Sequence, residues 1–102
     1  CGKGESFSPT DLASASLGAC MATIMGIYAQ KNGIDLTGMK ISASKEMSSS
    51  TPRRISKICV NIDVPLPSDH PKRQALENAA MSCPVHHSLH PEIEKQISFK
   101  WE

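Results

Sequence analysis

The stretch from Ser8 to Gly33 constrains this chain more than any other, because a complete set of helix signals encloses an apolar interior. Ser8 stands as the N-cap, Pro9 takes the first helical position, where its missing N–H is no loss, and Asp11 follows three residues after the cap in the sense of a capping box. Asn32-Gly33 supplies the stop. Between them Leu12, Ala15, Leu17, Cys20, Met21, Ile24, Met25, Ile27 and Tyr28 spread apolar groups round most of the helical circumference. Such a helix must be covered on most sides, so the spacing predicts a central, buried helix. The small residues Ala13, Ser14, Ala15, Ser16, Gly18 and Ala19 predict that another element, expected to be a second helix, comes close at the turn before Cys20.

Beyond Gly33 the period changes to two. Met39, Ile41 and Ala43 alternate with Lys40, Ser42 and Ser44, and Ile58, Val60, Ile62 and Val64 alternate with Cys59, Asn61 and Asp63. The polar run Ser48-Ser49-Ser50-Thr51-Pro52-Arg53 joins these strands as an antiparallel hairpin. Pro65 and Pro67 end the second strand. His70-Pro71 opens a second helix through Leu76, Ala79, Ala80 and Met81, which stops near Ser82 because a residue ahead of a proline-containing break disfavours helix. Cys83 is then the N-cap of a short helix, with Pro84 at its first position and the body at Val85 to Leu89; Ile93, Ile97, Phe99 and Trp101 share one parity as a final strand. The reading is α+β.

At 102 residues, 39% hydrophobic and 21% charged, the chain fits one domain over 1–102. Eleven basic and ten acidic side chains, scattered rather than blocked, leave no electrostatic footprint for nucleic acid or an anionic membrane. The longest apolar run, Met21 to Tyr28, falls short of the roughly 20 residues of a bilayer span, so no membrane is expected. A soluble cytoplasmic protein follows as the expectation. The start at Cys1, without an initiator methionine and within eight residues of a helix, leads to the expectation that an upstream segment is missing. A core of this size gains from oligomerisation, which makes a dimer the expected assembly.

Four cysteines, Cys1, Cys20, Cys59 and Cys83, are too widely and irregularly spaced for a disulfide scaffold, and no CxxC occurs. Cys83 sits where unpaired N–H groups and the positive end of a helix favour thiolate, which predicts that it is the more acidic thiol; the alternative is a buried cysteine serving as a small hydrophobe. Cys20 lies mid-helix and has the same bland alternative of a core thiol. If the second helix crosses the small-residue turn, Cys20 and Cys83 come within the roughly 4.4–6.8 Å between Cα atoms that a disulfide requires. A reversible pair of this kind suits a peroxidase: one thiolate takes an oxygen from the peroxide, and the other condenses with the sulfenic acid. Cys59 points with the polar row of its strand, and Cys1 has no catalytic setting. His86, His87 and His90 follow Cys83, but a single C-x-x-H is half a zinc site and surface histidines explain it as well.

SPTDLASASLGACMATIM, the hairpin, AAMSCPVHHSL and the terminal strand together resemble the OsmC/Ohr family (osmotically inducible protein, organic hydroperoxide resistance), in order and over nearly the whole chain. The resemblance implies an OsmC-like fold, with long central helices packed on antiparallel sheet and two chains intertwined as a homodimer, here lacking its N-terminal strands. It implies that Cys20 is peroxidatic and Cys83 resolving, that an organic hydroperoxide is the substrate in a stress response, and that an external dithiol of lipoyl type regenerates the thiols. No metal or other cofactor is implied. Family peroxidases carry a glutamate directly after the first-helix proline, where this chain has Thr10 and then Asp11, so these two are the candidates for the acid or orienting group. The family's thiolate-holding arginine comes from the N-terminal region, the segment expected to be missing from this sequence. Leu17, Met21 and Met25 are the expected walls of the substrate pocket. Because of Thr10 and the absent arginine, the alternative is a dimeric small-molecule-binding or stress-associated protein of the same fold with little peroxidase activity.

Overall fold

A computed structural model describes residues 8–102. The elements run α1 (Pro9–Lys31), β1 (Lys40–Met47), β2 (Ile55–Val64), α2 (Arg73–Met81), α3 (Pro84–Ser88) and β3 (Glu94–Trp101). Every element anticipated from the sequence within these residues is present.

α1 begins as its signals dictate. The Ser8 hydroxyl accepts from the Asp11 N–H at 3.2 Å, satisfying one of the free donors of the first turn. At the other end Asn32 is the C-cap and Gly33 turns the chain away at φ +67°, a conformation that costs glycine nothing. We expect Ser8→Ala to lower stability by about 1 kcal/mol, read as a shifted denaturation midpoint with unchanged slope.

The sheet has the order β1-β2-β3. β1 and β2 form the expected antiparallel hairpin, with Ile41 opposite Ile62, Ala43 opposite Val60 and Lys45 opposite Ile58. β3 pairs with β2 in parallel, Val60 with Ile97 and Ile62 with Phe99, which corrects the expectation of a wholly antiparallel sheet. The cause is the connection: two helices intervene between β2 and β3 and carry the chain back to the starting end, whereas a tight turn would have reversed it.

The register collects Ile58, Val60, Ile62 and Val64 on one fully buried face, joined by Leu17, Met21, Met25, Leu76, Ala80 and Cys83 from the helices. Lys40, Ser42, Asn61, Asp63, Ser98 and Lys100 occupy the outer face. α1 packs on β1 and β2 and also carries α2 and α3. The close approach at its small residues comes from the sheet rather than from a second helix: a methyl added at Gly18 would sit 3.1 Å from the Ile41 side chain.

α1 departs from expectation in another way. Leu12 is 60% and Ile27 46% exposed, so the helix is buried on one face only. One sheet and two short helices are too little to enclose a 23-residue apolar cylinder. By length and composition α1 is also apolar enough to cross a membrane, which corrects the reading that its apolar run is too short. Leu17, Met21, Met25 and Ala29 along its length are packed into the core, the environment of a central helix in a globule. α2 is anchored to the end of the sheet, where the Trp101 indole donates to the Glu77 carboxylate at 2.8 Å beneath Arg73, whose guanidinium lies 5.3 Å from the ring centroid. Trp101→Phe should cost about 1.5 kcal/mol, the loss of a hydrogen bond to a charged acceptor.

Candidate functional site

The two cysteines singled out in the sequence meet across the junction of α1 with α3. Cys83 is fully buried, and Cys20, half-buried on α1, is near enough to act on its thiol. The local reason for Cys83's position is the break between α2 and α3. α2 ends at Met81, Ser82 is its C-cap, and the Cys83 N–H bonds back to Ala80 at 3.3 Å. Cys83 then caps α3, its sulfur accepting from the His86 N–H at 3.4 Å with Pro84 at the first helical position.

Capping does not make Cys83 acidic. Burial pushes its thiol up from the ordinary value, and the neighbouring Cys20 thiol acts in the same direction, together outweighing the His86 and Val85 N–H groups that pull it down. This corrects the expectation that the helix start makes Cys83 acidic. α3 is a single turn of five residues, so few peptide dipoles align behind the sulfur, while removal from water penalises the anion in full.

Asp11 and Thr10 are placed very differently. At about 100° per residue, the nine steps from Asp11 to Cys20 put the two on opposite sides of α1. Asp11 faces β1, where its carboxylate lies 3.4 Å from the Lys45 ammonium and is held below the ordinary carboxylate range, chiefly by the Ser8 hydroxyl and also by Lys45. Thr10, ten steps from Cys20, comes round to within about 80° of it. Its hydroxyl is 3.2 Å from that of Ser8. Neither is beside the thiols, since nine or ten residues of helix rise about 14–15 Å along the axis.

Leu17, Met21 and Met25 are fully buried between α1 and the sheet, where they are core. A groove of about 320 Å³ does open beside α1, lined by Asp11, Ser14, Ala15, Gly18, Ala19, Ile41 and Ala43, on the β1 side and away from Cys20. Cys59 is half-buried on the outer face of β2, as its parity predicts, and Cys1 lies outside the described residues.

Of the histidines, His86 joins the thiols through its backbone N–H. His87 turns to the Met81 carbonyl at 3.1 Å, and His90 accepts from the Glu92 N–H at 3.1 Å. Among the described residues no three His, Cys, Asp or Glu side chains are grouped to hold a metal ion. The sequence reading weighed His86 as half a zinc site or a surface histidine; its position at N3 behind a cysteine cap is what brings its backbone N–H to the thiol.

Two comparisons place this geometry among known proteins. The family model described as OsmC-like protein matches residues 2–98. The chain is similar to the solved structure of an osmotic-stress-induced and detoxification-response protein from Psychrobacter arcticus, at 39% identity and TM-score 0.87 over 95% of this chain and 70% of that one. It shares the fold of the organic hydroperoxide resistance protein OsmC from Legionella pneumophila, at 15% identity and TM-score 0.75 over 96% and 72% of the two chains. The fold is also that of organic hydroperoxide resistance protein OhrB of Bacillus subtilis, at 19% identity and TM-score 0.70 over 91% and 70%. No curated protein matches the chain.

Proposed function

The chain belongs to the OsmC-like family, which includes organic hydroperoxide resistance proteins, and from that membership we propose that it is a thiol-dependent peroxidase acting on organic hydroperoxides through Cys20 and Cys83. The observation that carries the proposal is the meeting of these two thiols, 63 positions apart in sequence, at one junction of the core.

The Cys20 thiolate attacks the terminal oxygen of ROOH. The O–O bond breaks, ROH leaves with a proton, and Cys20 becomes a sulfenic acid. The Cys83 thiol displaces water from that sulfur to form the disulfide, which an external dithiol, of lipoyl type by family analogy, reduces to restore both thiols. The order of attack is supported by access: Cys20 is half-buried and reachable, while Cys83 has no exposed surface and a thiol held protonated by burial.

The assembly is a homodimer in the cytoplasm, the partner covering the apolar side of α1 that carries Leu12 and Ile27. Replacing both by Glu should convert a dimeric elution and light-scattering mass to a monomeric one.

The proposal is tested by adding one equivalent of an alkyl hydroperoxide to the reduced protein and counting free thiols: two are lost, and peptide mapping finds Cys20 joined to Cys83. A dimeric binding or stress-associated protein of this fold is the second reading, favoured by Asp11, which is engaged by Lys45 on the far side of α1 and supplies no acid to the thiols. Retention of both thiols through that titration would decide for it.

A further inference from the structure

The outer face of the sheet carries a charge pattern that neither the core nor the thiol chemistry uses. The register sets its side chains in four rows across β1, β2 and β3. Lys40, Asp63 and Lys100 form the row at one end, and Glu46, Lys57 and Glu94 the row at the other. The first row reads plus, minus, plus and the last minus, plus, minus, so every strand carries opposite charges at its two ends. The two rows between them, centred on Asn61 and Cys59, are uncharged. All of the six charged residues except Lys57 are exposed. Among the described residues Lys57 pairs with Glu94 at 3.9 Å, while Lys40, Asp63, Lys100 and Glu46 take part in no ion pair.

We propose that this face binds the same face of a second copy of the chain, with the strands of the two sheets running in opposite directions. Two aligned sheets stacked face to face can be related by a twofold axis along the strands or by one across them. With the axis along the strands, β1 lies over β3 and each end row lies over itself. Lys40 then faces Lys100, Glu46 faces Glu94, and Asp63 and Lys57 face their own copies, like charges throughout. With the axis across the strands, each strand lies over its reversed copy and the end rows exchange places. Lys40 then meets Glu46 of the second copy, Asp63 meets Lys57 and Lys100 meets Glu94, and symmetry makes each pair twice. All six charges find an opposite in this arrangement and none in the other, so one pattern both attracts a copy and fixes its direction. The uncharged middle rows face each other, so no charge is pressed against an uncharged group at the centre. A net charge of only +1 leaves little repulsion between copies to overcome. Three strands of eight residues present a face of about 14 by 27 Å, and its four rows carry no large apolar side chain. That is the size and chemistry of a weak, reversible and salt-dependent contact rather than a permanent one. α1 and the two thiols lie on the opposite face of the sheet, so this contact is independent of both.

The test is sedimentation equilibrium of the whole chain over a concentration series, in about 20 mM and about 500 mM salt. In the wild type the average mass is expected to rise with concentration at low salt, above its high-salt value, and the rise is lost at high salt. Asp63→Lys sets lysine over Lys57 of the second copy, and Lys57→Glu sets glutamate over Asp63. Each should weaken the association on the order of 10-fold or more, because it reverses two symmetry-related pairs at once. Lys57→Glu takes the net charge from +1 to −1, so its loss of association cannot come from a larger overall repulsion. The double variant Asp63→Lys/Lys57→Glu restores opposite charges at both positions and should recover the association. A wild-type mass that is independent of concentration at low salt, a rise that persists at high salt, or single variants that associate as the wild type does would each overturn the proposal. Should the variants fail to fold, the wild-type salt series decides by itself. None of these outcomes bears on the thiol chemistry or on pairing through α1, which the high-salt mass reads.

Discussion

Cys20→Ser is expected to abolish hydroperoxide reduction, with a loss on the order of 1,000-fold or more, whereas Cys83→Ser is expected to reduce one equivalent and then stop. The asymmetry comes from the different positions of two chemically identical side chains. Cys20 is half-buried on the long helix, and the proposal gives it the first encounter with the hydroperoxide for that reason. Serine at that position keeps the shape, but its hydroxyl is not ionised near neutral pH and has no sulfur to accept oxygen. Cys83 is buried in the core with its thiol pushed toward the neutral form, and the proposal therefore gives it the second step. It can complete that step, because the sulfur it must attack is its neighbour. In Cys83→Ser, therefore, the first oxygen transfer proceeds and Cys20 remains as sulfenic acid, open to further oxidation. Mass spectrometry after one equivalent of peroxide should find an increment of one oxygen on the Cys20 peptide in Cys83→Ser and no change in Cys20→Ser. A disulfide or oxygen adduct at Cys83 in the Cys20 variant would reverse the proposed order.

Met21→Ala is expected to carry the largest stability effect, a loss of about 3 kcal/mol. Met21 has no exposed surface and lies in the cluster that joins α1 to Ile58, Val60 and Ile62 of the central strand. Truncation removes its contacts and leaves a void that the sheet, fixed by its pairing register, closes only in part. For a domain of this size the loss corresponds to a fall in Tm on the order of 15 °C. The same variant separates two roles for this position. As core, Met21 affects the melting temperature and leaves KM for an alkyl hydroperoxide unchanged at temperatures where the variant is folded. A raised KM with an unchanged Tm would make it a pocket wall.

Much of this molecule was legible as a string of residues, and the legible parts have a common cause. Ser8, Pro9, Asn32 and Gly33 bound α1, and Cys83-Pro84 marks the opening of α3, because caps and breaks depend on a residue and its neighbours within one turn. The alternation in β1 and β2 gave their faces, since a pleat repeats every two residues whatever it pairs with. Cys59 fell on the outer face for the same reason.

Assembly decided the rest. A period of two does not say whether a neighbouring strand runs parallel, so the direction of β3 had to follow from the helices that return the chain. Leu17, Met21 and Met25 read from the sequence as pocket walls, and only the sheet laid against them showed them buried in the core. Asp11 looked like a partner for Cys20 until the turn of α1 set it on the opposite side, against Lys45.

The helix from Ser8 to Gly33 and the identity of the two thiols were determined by the sequence alone. That Cys83 is held toward its neutral thiol form, although it caps a helix, was decided only by the tertiary structure. A helix cap is written in four adjacent residues, but the cost of charging a sulfur depends on how completely the rest of the chain excludes water from it.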